Sequence, residues 1–203
     1  MMRAAAALST ILILGACAST QPLKESDRKG ITTVAVSPDV RVSPELYYFG
    51  AGSSFGLLFG AVGGAAMAAA NQGPAEQLRQ FATQNNISIE EIVRKQFTAQ
   101  VVTRRFRVSD GNADATFKLD VRQYGLSVPT GFSSDLVPVL TVHAELLNGN
   151  GQVMWSTTKR VHPLSGVSDS VPLETIRGNP ELLRTMWTQA AQQVVLEMME
   201  TLQ

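Results

Sequence analysis

The chain has 203 residues, 44% of them hydrophobic and 17% charged, with 17 Lys+Arg balanced by 17 Asp+Glu. That length suits one ordinary globular domain with short additions, and a zero net charge without a basic stripe excludes a nucleic-acid binder that relies on counterion release. One cysteine excludes an internal disulfide framework, two histidines are too few for a dedicated His/Cys metal cage, and no cofactor signature is present, so neither metal nor cofactor is expected.

Met1-Met2-Arg3 is a short basic start, and Ala4 to Leu14 follow as an uncharged apolar stretch too short to span a bilayer. Residues 1–16 therefore read as an export signal. The stretch closes on Leu14-Gly15-Ala16-Cys17, which resembles the lipobox of bacterial lipoproteins, where small residues before the cysteine admit the signal peptidase. The resemblance implies that Cys17 carries a diacylglycerol on its thiol and a further acyl chain, such as palmitate, on its freed amine. Several chains anchor stably where one would be marginal. A plain secretory signal with an incidental cysteine is the alternative. Ala18-Ser19 lack the Asp that retains such lipoproteins in the inner membrane, which implies the outer membrane, with the protein facing the periplasm. Residues 17–29 then form a lipidated polar tether, and 30–203 a periplasmic domain.

Ile31-Thr32-Thr33-Val34-Ala35-Val36 is a β-branched run stopped by Ser37-Pro38-Asp39 and predicts a first, buried strand. From Leu46 to Ala75 there is not one Asp, Glu, Lys or Arg. Within this insert Gly52, Gly56, Gly60 and Gly64 recur every fourth residue and Ala68 continues the row, so on a helix they form one smooth ridge. The pattern resembles the glycine-zipper segments of many bacterial envelope proteins. A ridge without side chains lets a second helix approach closely. Tyr47, Tyr48 and Phe49 stand at one end of the insert like an aromatic interface belt, and Asn71-Gln72-Gly73-Pro74 closes the other. Three readings remain open: a membrane-inserting or self-associating helical hairpin, a helix buried against its own domain, and a Gly/Ala loop. Interior glycines cost helix stability, so a helical ridge needs something packed on it. Gly52-Ser53-Ser54-Phe55-Gly56 also fits a Gly-x-Ser-x-Gly nucleophile elbow centred on Ser54, but the residues before it do not form the hydrophobic strand that an elbow needs.

Pro74 to Gln84 predicts a short helix, and Ser88 with Glu91 forms a capping box that opens a helix from Ile89 to about Arg104, stapled by Ile87 against Ile92. Ile89, Val93, Phe97 and Val101 make its apolar stripe. Arg94, Lys95, Arg104 and Arg105 read as a solvated face, with anionic lipid contact as the alternative. Ala115 to Arg122 alternates strictly and predicts a strand with Phe117, Leu119 and Val121 facing the core. Leu136 to Leu147 and Gln152 to Val161 form a hairpin around Asn148-Gly149-Asn150-Gly151. Asn179 as N-cap and Pro180 at N1 open a last helix through Leu202, with Leu183, Met186, Trp187, Ala190, Val194, Met198 and Leu202 on its apolar side.

Strand, insert, helix, three strands, helix: this order predicts an α+β two-layer sandwich, a mixed sheet with helices on one face. Thr33-Val34-Ala35-Val36-Ser37-Pro38 is similar to the Val-Ala-Val-x-Pro opening of periplasmic α/β lipoproteins, such as the curli secretion-channel lipoprotein and the lipoprotein activators of peptidoglycan synthases. The chain departs from them in placing a glycine zipper after the first strand.

His143 and His162 read as solvated or edge-bonded histidines, Asp110, Asp114 and Asp120 as turn and strand residues that lack the twelfth-position Glu of a calcium loop, and Trp155 and Trp187 as core fillers in preference to a sugar platform. With no nucleophile, base and oxyanion donors brought together, the expectation is a non-enzymatic outer-membrane lipoprotein. It would self-associate or insert through the zipper, as a homo-oligomer, and support an envelope or secretion complex. A monomeric periplasmic binding module or transport accessory is the alternative.

Overall fold

The computed structural model describes residues 20–50, 73–104, 106–109, 111–130 and 133–202. Its elements in chain order are α1 (Glu25–Lys29), β1 (Thr33–Val36), β2 (Arg41–Val42), β3 (Tyr47–Phe49), α2 (Pro74–Gln84), α3 (Ile89–Val102), β4 (Arg107–Val108), β5 (Ala115–Ser127), β6 (Asp135–Asn148), β7 (Val153–Val161), β8 (Val171–Pro172), α4 (Leu173–Gly178) and α5 (Pro180–Glu200). The architecture is the α+β arrangement that the element order predicts, with eight strands among the described residues in one mixed sheet.

The long strands β5 and β6 form the spine of the sheet. They pair antiparallel from Ala115 opposite Asn148 to Ser127 opposite Val137, and β7 returns antiparallel on the far side of β6. Ala115, Phe117, Leu119 and Val121 are buried, but past Arg122 burial moves to Tyr124 and Leu126. The register shift between Val121 and Gln123 explains the change: Arg122 is an extra residue, and one extra residue swaps the faces of everything after it. The alternation that predicts a strand to Arg122 breaks there, while the strand itself runs on to Ser127. Along the other edge of β5 the chain lays β1, β2 and β3 in succession, all parallel to it, and β4 extends the sheet beyond β1.

α3 and α5 pack on each other, and α5 lies on β6 and β7. The Ser88 hydroxyl accepts from the Glu91 amide at 3.1 Å, with Ile87 and Ile92 buried as the staple requires. Asn179 caps α5 by accepting from the Glu181 amide at 3.2 Å. Every residue assigned to the apolar side of α5 is buried, and Ala191, Val195 and Met199 join them because the helix is covered on two sides, by the sheet and by α3. At the centre, Phe97, Phe106 and Trp155 all meet the Phe117 ring edge to face, with centroids 5.1, 6.4 and 5.9 Å away.

Two segments differ from expectation. The polar tether is part of the fold from its middle onward: the Gln21 amide donates to the Ser156 carbonyl at 2.8 Å, the Ser156 amide returns the bond at 3.1 Å, Leu23 is buried, and residues 25–29 form α1. The free edge of β7 draws it in, because unpaired strand groups seek partners. The aromatic trio Tyr47–Phe49 is likewise no helix end but the strand β3, its Tyr48 turned inward and half-buried between two exposed neighbours.

The pairing of β3 depends on one glycine. Gly125 has φ +148°, and a Cβ built there would lie 1.7 Å from the Tyr47 carbonyl oxygen. Gly125→Ala is therefore expected to cost on the order of 3 kcal/mol in urea denaturation, from overpacking and backbone strain together. Gly149→Ala, in open space at the hairpin tip, should stay within about 0.5 kcal/mol of the parent. Equal costs would mean that β3 does not press on β5.

Candidate functional site

Cys17, Ser54, Asp110 and the ridge glycines Gly52, Gly56, Gly60 and Gly64 lie outside the described residues. The structure does fix the two points between which the ridge segment runs. β3 delivers it after Phe49-Gly50, and Gly73-Pro74 receives it at the start of α2, which packs against β3. The first point lies at the Gly125–Ser127 end of β5, and the second opens the helix that packs beside β3.

That end of the sheet is apolar and exposed. Phe49 is 59% exposed, Tyr47 38% and Leu164 73%. With Val128, Pro129 and Pro163 they line an open groove of about 360 Å³ between β3 and the turn after β7. The strand's alternation sets which rings show: Tyr47 and Phe49 point out, while burial of Tyr48 pushes its hydroxyl pKa up to about 12. The uncharged character of the segment was legible in the sequence; the part played by Leu164 was not, because it lies more than a hundred residues away.

A second hollow, about 590 Å³, opens between β2, the α2–α3 turn and α5, over Tyr124 and Trp187, whose rings meet edge to face at 5.6 Å. Three of its polar side chains are committed to the fold. Arg79 pairs with Glu76 at 3.0 Å and donates to the Pro44 carbonyl, the Ser88 hydroxyl caps α3, and the Thr83 hydroxyl donates to the Arg79 carbonyl at 3.0 Å. Burial is the main reason that the Tyr124 hydroxyl titrates above its ordinary value, with Arg79 opposing.

The wet face of the sheet gathers His143, Glu145, Asp120 and Arg122. His143 is held between the Thr158 hydroxyl at 2.9 Å from Nδ1 and the Glu145 carboxylate at 3.1 Å from Nε2, the edge-bonded state expected for it. Asp120 faces Arg122 at 3.5 Å and Arg41 at 3.9 Å. His162 accepts from the Leu164 amide at Nδ1, 3.2 Å away, and so braces the turn that carries Leu164. Among the described residues no group of three or more His, Cys, Asp or Glu is placed to hold a metal. Asp114 instead accepts from the Thr33 amide at 2.8 Å, the Thr32 amide at 2.9 Å and the Thr33 hydroxyl at 2.9 Å, closing the entry to β1. Both tryptophans are buried core residues, their indole N–H groups donating to the Thr201 and Gly125 carbonyls at 3.1 and 3.2 Å.

No protein-family model matches the chain, and neither does any curated protein. Among solved structures it is similar to a Xanthomonas campestris protein of the family DUF330, with 13% identity over 83% of this chain and 81% of that one and a TM-score of 0.46. It is also similar to the PelC dodecamer of Paraburkholderia phytofirmans, with 17% identity, 84% and 88% coverage and a TM-score of 0.34. For the lipoprotein GNA1162 of Neisseria meningitidis the values are 18%, 79%, 98% and 0.24. All three scores lie below 0.5, and this chain's own residues must carry its functional reading.

The Asp114 contacts give a test with a definite sign. Bonds from the Thr33 amide first, then the Thr32 amide and the Thr33 hydroxyl, hold its pKa below the ordinary carboxylate value, so its contribution is present at neutral pH and fades as pH falls through that lowered value. Asp114→Asn is expected to unfold at lower urea than the parent at pH 7, the gap closing in strong acid, and calcium is expected to leave the parent's midpoint unmoved. A calcium-dependent midpoint would assign Asp114 to a metal site.

Proposed function

We propose that this chain is a non-enzymatic lipoprotein of the outer membrane, anchored through Cys17, whose α+β domain faces the periplasm. Its ridge of Gly52, Gly56, Gly60 and Gly64 drives self-association or insertion beside the bilayer, and the protein supports the assembly of an envelope or secretion complex. One observation supports this reading above others: a charge-free segment leaves the domain at the end of the sheet where Tyr47, Phe49 and Leu164 stand exposed, and rejoins it at α2, which packs against β3.

The geometry of the two ends limits what the segment can do. A single helix of residues 51–72 would carry the chain about 33 Å away from its starting point, whereas the chain must return to α2 beside β3. A helical hairpin fits that return, each arm about 16 Å long, half the thickness of a bilayer's hydrocarbon core. Such a hairpin enters one leaflet or packs against copies of itself, and close approach along its glycine face supplies the contact. Among the described residues no helix is long and apolar enough to cross a membrane.

Light scattering on the detergent-extracted, lipidated protein tests the assembly. A discrete oligomer is expected, and Gly56→Leu/Gly60→Leu, which puts two bulky side chains on the ridge, should break it into smaller species while leaving the domain folded. A monomer in both proteins would overturn self-association and favour the monomeric binding or transport accessory.

A further inference from the structure

We infer that the domain rests on the bilayer with the Gly125–Ser127 end of its sheet downward, Tyr47, Phe49 and Leu164 seated among the lipid headgroups. The inference rests on the lipid anchor proposed for Cys17, and it adds the face that meets the membrane.

The first argument is the leash. Gln21 is bonded antiparallel to Ser156, and one residue nearer the anchor Thr20 lies beside Thr157, their hydroxyls 3.3 Å apart. Followed backward toward Cys17, the chain therefore runs up β7 toward Val161. Only Ala18 and Ser19 lie between Thr20 and Cys17, a reach of about 10 Å. Val161 lies about 13 Å along the strand from Thr157. Chain length thus holds any anchor at Cys17 to within about 10 Å of Thr20, and the chain's last described step heads for the turn that carries Leu164.

The second argument is independent of the cysteine. The described parts of three stretches meet at that end of the sheet, within residues 46–75, 123–134 and 161–168, and none of the three contains Asp, Glu, Lys or Arg. The opposite end is different in kind: there lie the Asn148-Gly149-Asn150-Gly151 turn, Arg104, Arg107 and Asp114. The apolar end also carries the companions that a membrane interface favours. Arg122 and Arg160 flank Tyr47 on the wet face, and Arg160 has no ion-pair partner among the described residues. Aromatic rings at headgroup depth with cations just above them are the usual anchors of a lipid interface. Of the cations that sequence alone offered to anionic lipid, Arg104 is ill placed for it: it lies between α3 and β4, at the far end of the sheet.

The test places an environment-sensitive NBD label on single-thiol variants of the full lipidated chain, whose Cys17 is consumed by acylation. The variants are F49C, L164C and, at the opposite end, G149C, bound to phosphatidylethanolamine/phosphatidylglycerol vesicles that contain doxyl-labelled lipid. Labels on F49C and L164C are expected to shift to the blue and lose most of their emission to the quencher, while the label on G149C keeps its emission. Quenching at G149C with none at L164C would overturn the orientation. A blue shift at L164C without quenching would also overturn it, and would assign that face to a second protein molecule. Intact mass and vesicle flotation separate the two ideas: a chain without added acyl mass that fails to float refutes the anchor and the orientation with it, whereas an acylated, floating chain with unquenched L164C refutes the orientation alone.

Discussion

The close approach of the Tyr47 backbone to Gly125 is the contact on which the rest of the molecule's arrangement depends. A side chain at residue 125 would occupy the space of the Tyr47 carbonyl, so β3 can pair with β5 only because that position is glycine. Pairing fixes three things together. It turns Tyr48 inward, leaves Tyr47 and Phe49 exposed, and sets the point at which the charge-free segment leaves the domain, while the Gly125 carbonyl also accepts from the Trp187 indole N–H of α5. Sheet, covering helix and insert are thereby joined at one residue.

From that point the chemistry of the two ends of the sheet diverges. At one end polar turns and charged side chains suit water, and Asp114 spends its carboxylate on closing the entry to β1. At the other, uncharged loops and exposed rings gather around the root of a segment rich in glycine and alanine. A soluble monomer gains nothing by exposing rings beside such a segment, because exposed apolar patches favour contact with lipid or protein. The potentially reactive groups elsewhere have structural work: Ser88 caps, Arg79 bridges α2 to the β2–β3 connection, and His143 ties β6 to β7. The function proposed for this chain accordingly lies in placement and contact.

Much of this was legible in the residues, and the exceptions share a cause. Both long helices were marked by their caps, Ser88 with Glu91 and Asn179 with Pro180, because capping is a local, stereochemical signal. The hairpin from Asp135 to Val161 was marked by strict alternation around an Asn-Gly turn. What sequence missed was set by distant partners. The second half of β5 is hidden by the Arg122 bulge, which reverses the alternation. β2, β4 and β8 have two residues each, too few for any period to register. Gln21 joins β7 only because that edge is open, and Leu164 joins Phe49 only through the fold. Cys17, proposed as the lipid acceptor, and the glycines proposed as a ridge were the reverse, plain in sequence and outside the described residues.

The central claim is that residues 51–72 find their packing partner in the membrane or in another copy. Hydrogen exchange on the full lipidated protein, followed by mass spectrometry with and without vesicles, tests it most directly. The account predicts that peptides from 46–75 exchange slowly on vesicles and much faster in a detergent-dispersed sample diluted until the oligomer has dissociated, while peptides from β5 and β6 are unchanged. Free-chain exchange of 46–75 under both conditions, or equal strong protection under both, would contradict it.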